Sequence, residues 1–135
     1  MKTATIILPL PDRKLSPNAR IHWRKAAPLI KAHRVTGNLM ALKMRMKGVR
    51  IKSYTLHFFW PDKRRRDRDN AVGNKGTKAF LDGIADTTGQ NDSEWNFDGV
   101  RFELDRENPR LEFQAVLEEI VEKPNDVVNL KKGMK

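Results

Sequence analysis

Residues 64–70 read Arg64, Arg65, Arg66, Asp67, Arg68, Asp69, Asn70, a run dense in both signs of charge. In extended backbone, residues two apart project to the same side, so Asp67 and Asp69 present their carboxylates together while Arg68 points away. Paired carboxylates repel and raise each other's pKa unless a cation relieves them. Mg²⁺ is the natural cation, with Mn²⁺ as the alternative. It is hard, takes oxygen ligands, and is held by one or two carboxylates together with water and phosphate oxygens. Arg64, Arg65, Arg66 and Arg68 then supply charge-assisted hydrogen bonds to phosphodiester oxygens. A third carboxylate is expected from the loop at 90–94, where Asp92 is preferred to Glu94, Asp98 and Asp86, although spacing alone does not separate them. Lys75 and Lys78 compete to stabilise a pentacovalent, phosphorane-like transition state. The chemistry such a set supports is in-line hydrolysis of a phosphodiester by metal-activated water. An Arg/Asp salt-bridge lattice on a solvated turn fits the same short pattern. Asp82 reads as a helix-surface or capping acid rather than a ligand.

The whole composition agrees with an anionic substrate. The chain has 135 residues, no cysteine, 27 Lys+Arg against 17 Asp+Glu, and a net charge of +10, which makes polyanions the leading partner class and anionic membrane surface the weaker one. The excess is local: residues 1–70 carry 18 basic and four acidic groups, and residues 71–135 carry nine and thirteen. The candidate metal ligands therefore fall near the change of sign. Disulfides and thiolate metal sites are excluded, and three scattered histidines show no zinc spacing. His33 and His57 read as a helix-flank and a strand residue. The opening apolar run is too short for a signal-peptide core and no window approaches the ~20 apolar residues of a membrane span, so a cytoplasmic protein is expected.

Positioning these groups requires a compact frame, and 39% hydrophobic residues in a chain of this length suffice for one. Thr3 to Leu10 reads as an opening strand stopped by Pro9 and Pro11, and residues 11–20 as a basic loop. A helix is predicted from Arg24 or Pro28 to Gly48, with Leu29, Ala32, Val35, Leu39, Leu42 and Met46 on its core face and Gly37 weakening its middle. Trp23 reads as a packing residue beside a solvated His22, with contact to an unstacked base as the alternative. Val49 to Trp60 reads as a strand buried on both sides. Thr77 is expected to cap a short helix through Ala85, followed by loop over 86–94. Trp95–Leu104 and Leu111–Leu117 alternate around a turn at 107–110 and are expected to pair as a hairpin with one solvated face. The sum is a single α+β domain over residues 1–120, about four strands in a mixed sheet with two main helices. Residues 121–135 read as a loose C-terminal tail, free to dock on a partner subunit.

The run from Trp60, Pro61 and Asp62 through Arg64–Asn70, then Lys78–Ile84, then Asn91 and Asp92, resembles the RusA family of Holliday junction resolvases. Leu8–Pro11 closing the first strand and Ser16–Arg20 before a basic helix resemble it as well, so the likeness spans about residues 3–118. The resemblance implies a homodimeric, Mg²⁺-dependent endonuclease that nicks four-way DNA junctions symmetrically. In that reading Asp67, Asp69 and Asp92 fall on the family's metal-binding acids and Lys78 on its catalytic lysine. Arg20, His22, Arg24, Lys25, Lys31 and Arg34 would join the arginine run in neutralising the junction backbone. Residues 71–77 lengthen the path from the second aspartate to Lys78, so Lys75 remains the other candidate, and a single acid, Asp92, stands where the family often has two. The rivals are a noncatalytic basic nucleic-acid-binding domain and a same-fold junction binder with impaired cleavage.

Overall fold

A computed structural model describes residues 2–118; the expected tail at 121–135 lies outside them. The elements run β1 (Thr3–Leu8), α1 (Trp23–Lys43), β2 (Ile51–Trp60), α2 (Arg68–Val72), α3 (Lys75–Thr88), β3 (Asn96–Leu104) and β4 (Arg110–Leu117), with single 3₁₀ turns at Arg13–Leu15 and Asp92–Glu94. They form an α+β domain with a four-stranded mixed sheet in the order β1-β4-β2-β3. No described helix is long and apolar enough to cross a membrane.

The last two strands do not form the expected hairpin. β4 lies between β1 and β2 and is antiparallel to both, whereas β3 lies on the far side of β2 and runs parallel to it. Alternation predicts each strand but not its neighbour: β2 offers two hydrogen-bonding edges, and β3 and β4 each take one. Placement at the sheet edge also leaves Leu104 39% exposed. The chain thus contains two crossovers, β1–α1–β2 split by β4, and β2–α2–α3–β3.

The core lies between the helices and one face of the sheet, where Ile6, Leu8, Leu56, Phe58, Phe80, Ile84, Leu111 and Phe113 are buried. β2 is buried on both faces, as expected, but for two different reasons. Leu56 and Phe58 meet the helices. On the outer face Phe59 is covered by His57, stacked at 4.0 Å, and by the Arg110 guanidinium 3.8 Å from its ring centre. Arg110 is itself held by Glu112 at 2.7 Å and Asp105 at 2.8 Å, and His57 by Glu103 at 3.2 Å.

The buried face of α1 differs from the expected one. Val35, Leu39 and Leu42 are 48%, 55% and 45% exposed, while Ala26, Gly37 and Ala41 are buried. The reason is the close crossing with α3: a Cβ on Gly37 would stand 2.2 Å from the Phe80 carbonyl oxygen, and one on Gly83 would stand 2.0 Å from that of Arg34. Gly37 is therefore a contact point rather than a weak link. The helix ends at Lys43, before Gly48, and Arg45 takes the left-handed conformation at φ 57°.

Candidate functional site

The backbone over the arginine run is not extended. Asp67 is the N-cap of α2, and its Oδ1 accepts hydrogen bonds from the N–H groups of Asp69 at 2.8 Å and Asn70 at 3.3 Å. Asp69 sits in the first turn of that helix. The physical reason for the departure is local. An aspartate followed by good first-turn residues caps a helix more favourably than it continues a strand, and negative charge is favoured at a helix N-terminus. Both carboxylates still stand on one short segment at the solvent-facing end of α2, but through capping rather than through strand alternation.

The arginines divide by role. Arg66 is half-buried, lies 4.3 Å from the Trp60 ring centre, and donates to the Asp62 carbonyl at 3.0 Å and to its carboxylate at 2.9 Å. The Arg64 N–H and the Arg66 side chain hold the Asp62 carboxyl below its ordinary range. Arg66 thus shapes the turn. Arg68 lies over Phe102. Arg64 and Arg65 are exposed, with no carboxylate in ion-pair range among the described residues. A cleft of about 260 Å³ brings Arg65, Asp67 and Asn70 against Arg13 and Ser16 of the basic loop. That loop is pinned by His33, whose Nδ1 donates to the Leu29 carbonyl at 2.7 Å and whose Nε2 accepts the Asp12 N–H at 3.0 Å. Asn74 holds it from the other side, donating to the Asp12 carbonyl at 3.0 Å. His33 therefore has a structural role, as its position on the helix flank suggests.

α3 starts three residues earlier than expected and runs three residues further. Asn74 caps it through a bond from the Gly76 N–H, while Thr77 is buried and donates to the Ala71 carbonyl. This register puts Lys78 on the first turn, where its ammonium donates to Asp82 at 3.0 Å and to Asp92. Asp92, then Asp82, stabilises the charged amine and raises the Lys78 pKa. Burial, then the negative charge of Asp92, raises the Tyr54 hydroxyl pKa, which places that phenol in the same field. Lys75 is exposed at the helix start and pairs with no described carboxylate. Of the two lysines, Lys78 is the one joined to the acids.

The competing acids are occupied elsewhere. Glu94 pairs with Arg50 at 3.2 Å, and Asp86 accepts a bidentate pair of 2.8 Å bonds from Arg34. Arg34 is thus committed to an intramolecular fork between α1 and α3 and is not a free phosphate ligand. Arg20, Arg24, Lys25 and Lys31 remain exposed or half-buried cations without a described carboxylate partner. Asp82 was legible only as an acid four residues after Lys78; that i,i+4 spacing was the signal for its pairing. An open cavity of about 450 Å³ is lined by Asp82, Asp86 and Asp92 with Arg34.

Carboxylate oxygens are suitable donors for Mg²⁺, and Asp67 keeps Oδ2 clear of its capping bonds, so Asp67 and Asp69 supply donors of the right chemical kind for such an ion. Asp92 is different because Lys78 already neutralises it. Among the described residues no group of three or more His, Asp or Glu side chains gathers closely enough to hold one ion, so the three expected ligands are not assembled together.

No protein-family model matches the chain. It is similar to an uncharacterized protein of Xylella fastidiosa, with 31% identity over 93 residues that cover 65% of this chain and 60% of that protein. The chain thus spans about three-fifths of the length of this relative.

Proposed function

We propose that the chain is a metal-dependent endodeoxyribonuclease that acts on branched DNA, taking four-way junctions as a homodimer. The observation that carries this reading is the Lys78–Asp92 pair, set one short helix beyond Asp67 and Asp69. The two carboxylates at the start of α2 and the lysine paired with Asp92 support the reading, because the first can hold a divalent cation and the second can meet developing negative charge. Arg65 and the loop residue Arg13, which line the cleft with Asp67, bind the phosphate backbone there, and the exposed Arg64 adds a further cation next to Arg65 in the chain. Asp67 and Asp69 would hold a Mg²⁺ ion, which would supply activation of water and neutralisation of charge at the phosphate, while Asp92 holds the Lys78 ammonium. Lys78 then stabilises the extra negative charge at the phosphate or protonates the leaving oxygen. A two-fold dimer suits a substrate of near two-fold symmetry, because equivalent sites reach opposed strands.

A noncatalytic nucleic-acid-binding domain could use the Lys78–Asp92–Asp82 cluster purely as an ion-pair network. Incubation of an end-labelled synthetic four-way junction with the protein in Mg²⁺ separates the two. Symmetric nicks that vanish in EDTA and in Asp69→Asn are expected. Absence of nicking by wild type, or nicking unchanged by Asp69→Asn, refutes the nuclease reading.

A further inference from the structure

Trp23 does not pack. It is 68% exposed, the most exposed of the large apolar side chains among the described residues, although it opens a 21-residue helix whose other face is well buried. The His22 ring lies at 5.8 Å and 28° to the indole, and the Arg24 guanidinium lies 5.4 Å from its centre. His22 is fixed as well, since its Nδ1 accepts the Arg24 N–H at 3.1 Å. The indole is thus held on a rigid helical backbone with much of its surface open to solvent.

Beside it runs a cleft of about 840 Å³ lined by Lys14, Arg20, His22, Arg24 and Lys25 together with apolar side chains, and no carboxylate is among its lining residues. An exposed aromatic bordered by cations that have no carboxylate partner among the described residues selects a ligand that is flat, apolar on its faces and anionic along its edge. A nucleotide has that form: base–aromatic stacking tolerates any base, and the phosphates take the cations. Bases within an intact duplex already stack on their neighbours, so only an unpaired base has a face to offer.

We propose that Trp23 is a stacking platform for an unpaired nucleobase, with the adjoining Arg20, Arg24 and Lys25 holding that nucleotide's phosphates. The proposal rests on the branched-DNA reading and adds to it a means of telling branched or gapped DNA from continuous duplex. Arms of a junction are ordinary duplex, and the pairs at the branch point, where stacking is interrupted, are the ones from which a base is most readily freed.

The test uses the full chain in EDTA, so that cleavage cannot intervene. Two DNA probes of one sequence are compared: a continuous duplex, and the same duplex carrying a two-nucleotide bulge with 2-aminopurine. Trp23→Ala is expected to weaken the bulged probe by roughly 5- to 150-fold and the duplex far less, with loss of the 2-aminopurine quenching that wild type produces. Trp23→Phe is expected to restore most of both signals. Equal loss on the two probes, no loss on the bulged probe, or a change of oligomeric state on sedimentation in place of a change in discrimination overturns the proposal. If wild type binds both probes while Trp23→Ala discriminates as wild type does, the stacking role falls and the nucleic-acid reading stands. If wild type binds neither, both fall.

Discussion

Replacement of Gly83 by alanine tests the helix crossing on which the site's geometry depends. In an exposed helix, Gly→Ala is stabilising by about 0.5–1 kcal/mol, because glycine loses more backbone freedom on folding. At Gly83 the new methyl carbon would meet the Arg34 carbonyl oxygen at 2.0 Å and the Asn38 nitrogen at 2.6 Å. Both are backbone atoms and neither can rotate aside, so α1 and α3 must move apart by more than an ångström. That movement loosens Phe80 and Ile84 and stretches the Arg34–Asp86 fork. Overpacking of this kind costs about 1–3 kcal/mol, and rigid backbone on the opposing side puts this case at the upper end. Net of the propensity gain, the expected loss is about 2 kcal/mol, which for a domain of this size lowers Tm by about 8 °C. Thermal melting followed by circular dichroism measures it. Ala32→Gly, on the exposed face, serves as the yardstick for propensity alone and should cost about 1 kcal/mol. If Gly83→Ala melts at or above the wild-type temperature, the helices do not cross as described and the register that carries Lys78 is wrong.

Four further outcomes follow from the same geometry. Asp67→Asn keeps a capping side chain and should melt like wild type while losing nicking, whereas Asp67→Ala should also lose about 1 kcal/mol of stability; equal activity of Asp67→Asn and wild type would remove Asp67 from the chemistry. Lys78→Ala should slow junction nicking far more than Lys75→Ala, measured side by side in single-turnover assays. Gln90, buried with its amide bonded to both the N–H and the C=O of Ile51 at 2.8 and 3.1 Å, acts as a surrogate strand partner, and Gln90→Ala should cost about 2 kcal/mol in urea titrations. Arg34 holds the Asp86 carboxyl below its ordinary value, so the stability from this pair is present above pH ~4 and lost as pH falls through the folded value; Asp86→Asn should therefore flatten the acid limb of the stability profile.

Strand and helix positions were legible in the sequence because burial repeats with period two or three to four. The four strands and α3 are legible to within a few residues at their ends, the expected span of α1 runs past Lys43 to Gly48, and α2 is not legible at all. Pairing was not legible, because Phe102 and Phe113 alternate equally well whether their strands pair with each other or with opposite edges of β2. The choice of buried face on α1 was hidden for a related reason. Its sequence carries an apolar stripe and a small-residue stripe, and only the matching glycine on α3 selects between them. At the candidate site, Lys78 was one of two lysines until the Asn74 cap set the helix register. Asp67 was recognisable as a carboxylate of interest, yet its hydrogen bonds belong to a helix five residues long that no periodicity could announce. Arg34 looked like one more cation of the basic half, and its partner lies 52 residues away.

The last of the described strands stands in the interior of the sheet. During synthesis β1, α1, β2, α2, α3 and β3 all leave the ribosome before residues 110–117 do, and until then β1 has no neighbour and β2 keeps an open edge. The sheet closes when β4 slots between them, satisfying both edges at once through registers that run from Thr3–Val116 to Leu8–Leu111 and from Ile51–Leu117 to Phe59–Arg110. A chain interrupted before β4 therefore cannot bury Ile6 and Leu8 against their native strand partner, and it presents unpaired hydrogen-bonding edges to other chains. A premature stop before β4 therefore separates β1 from the β2–β3 pair and divides the sheet in its middle rather than trimming one edge from it.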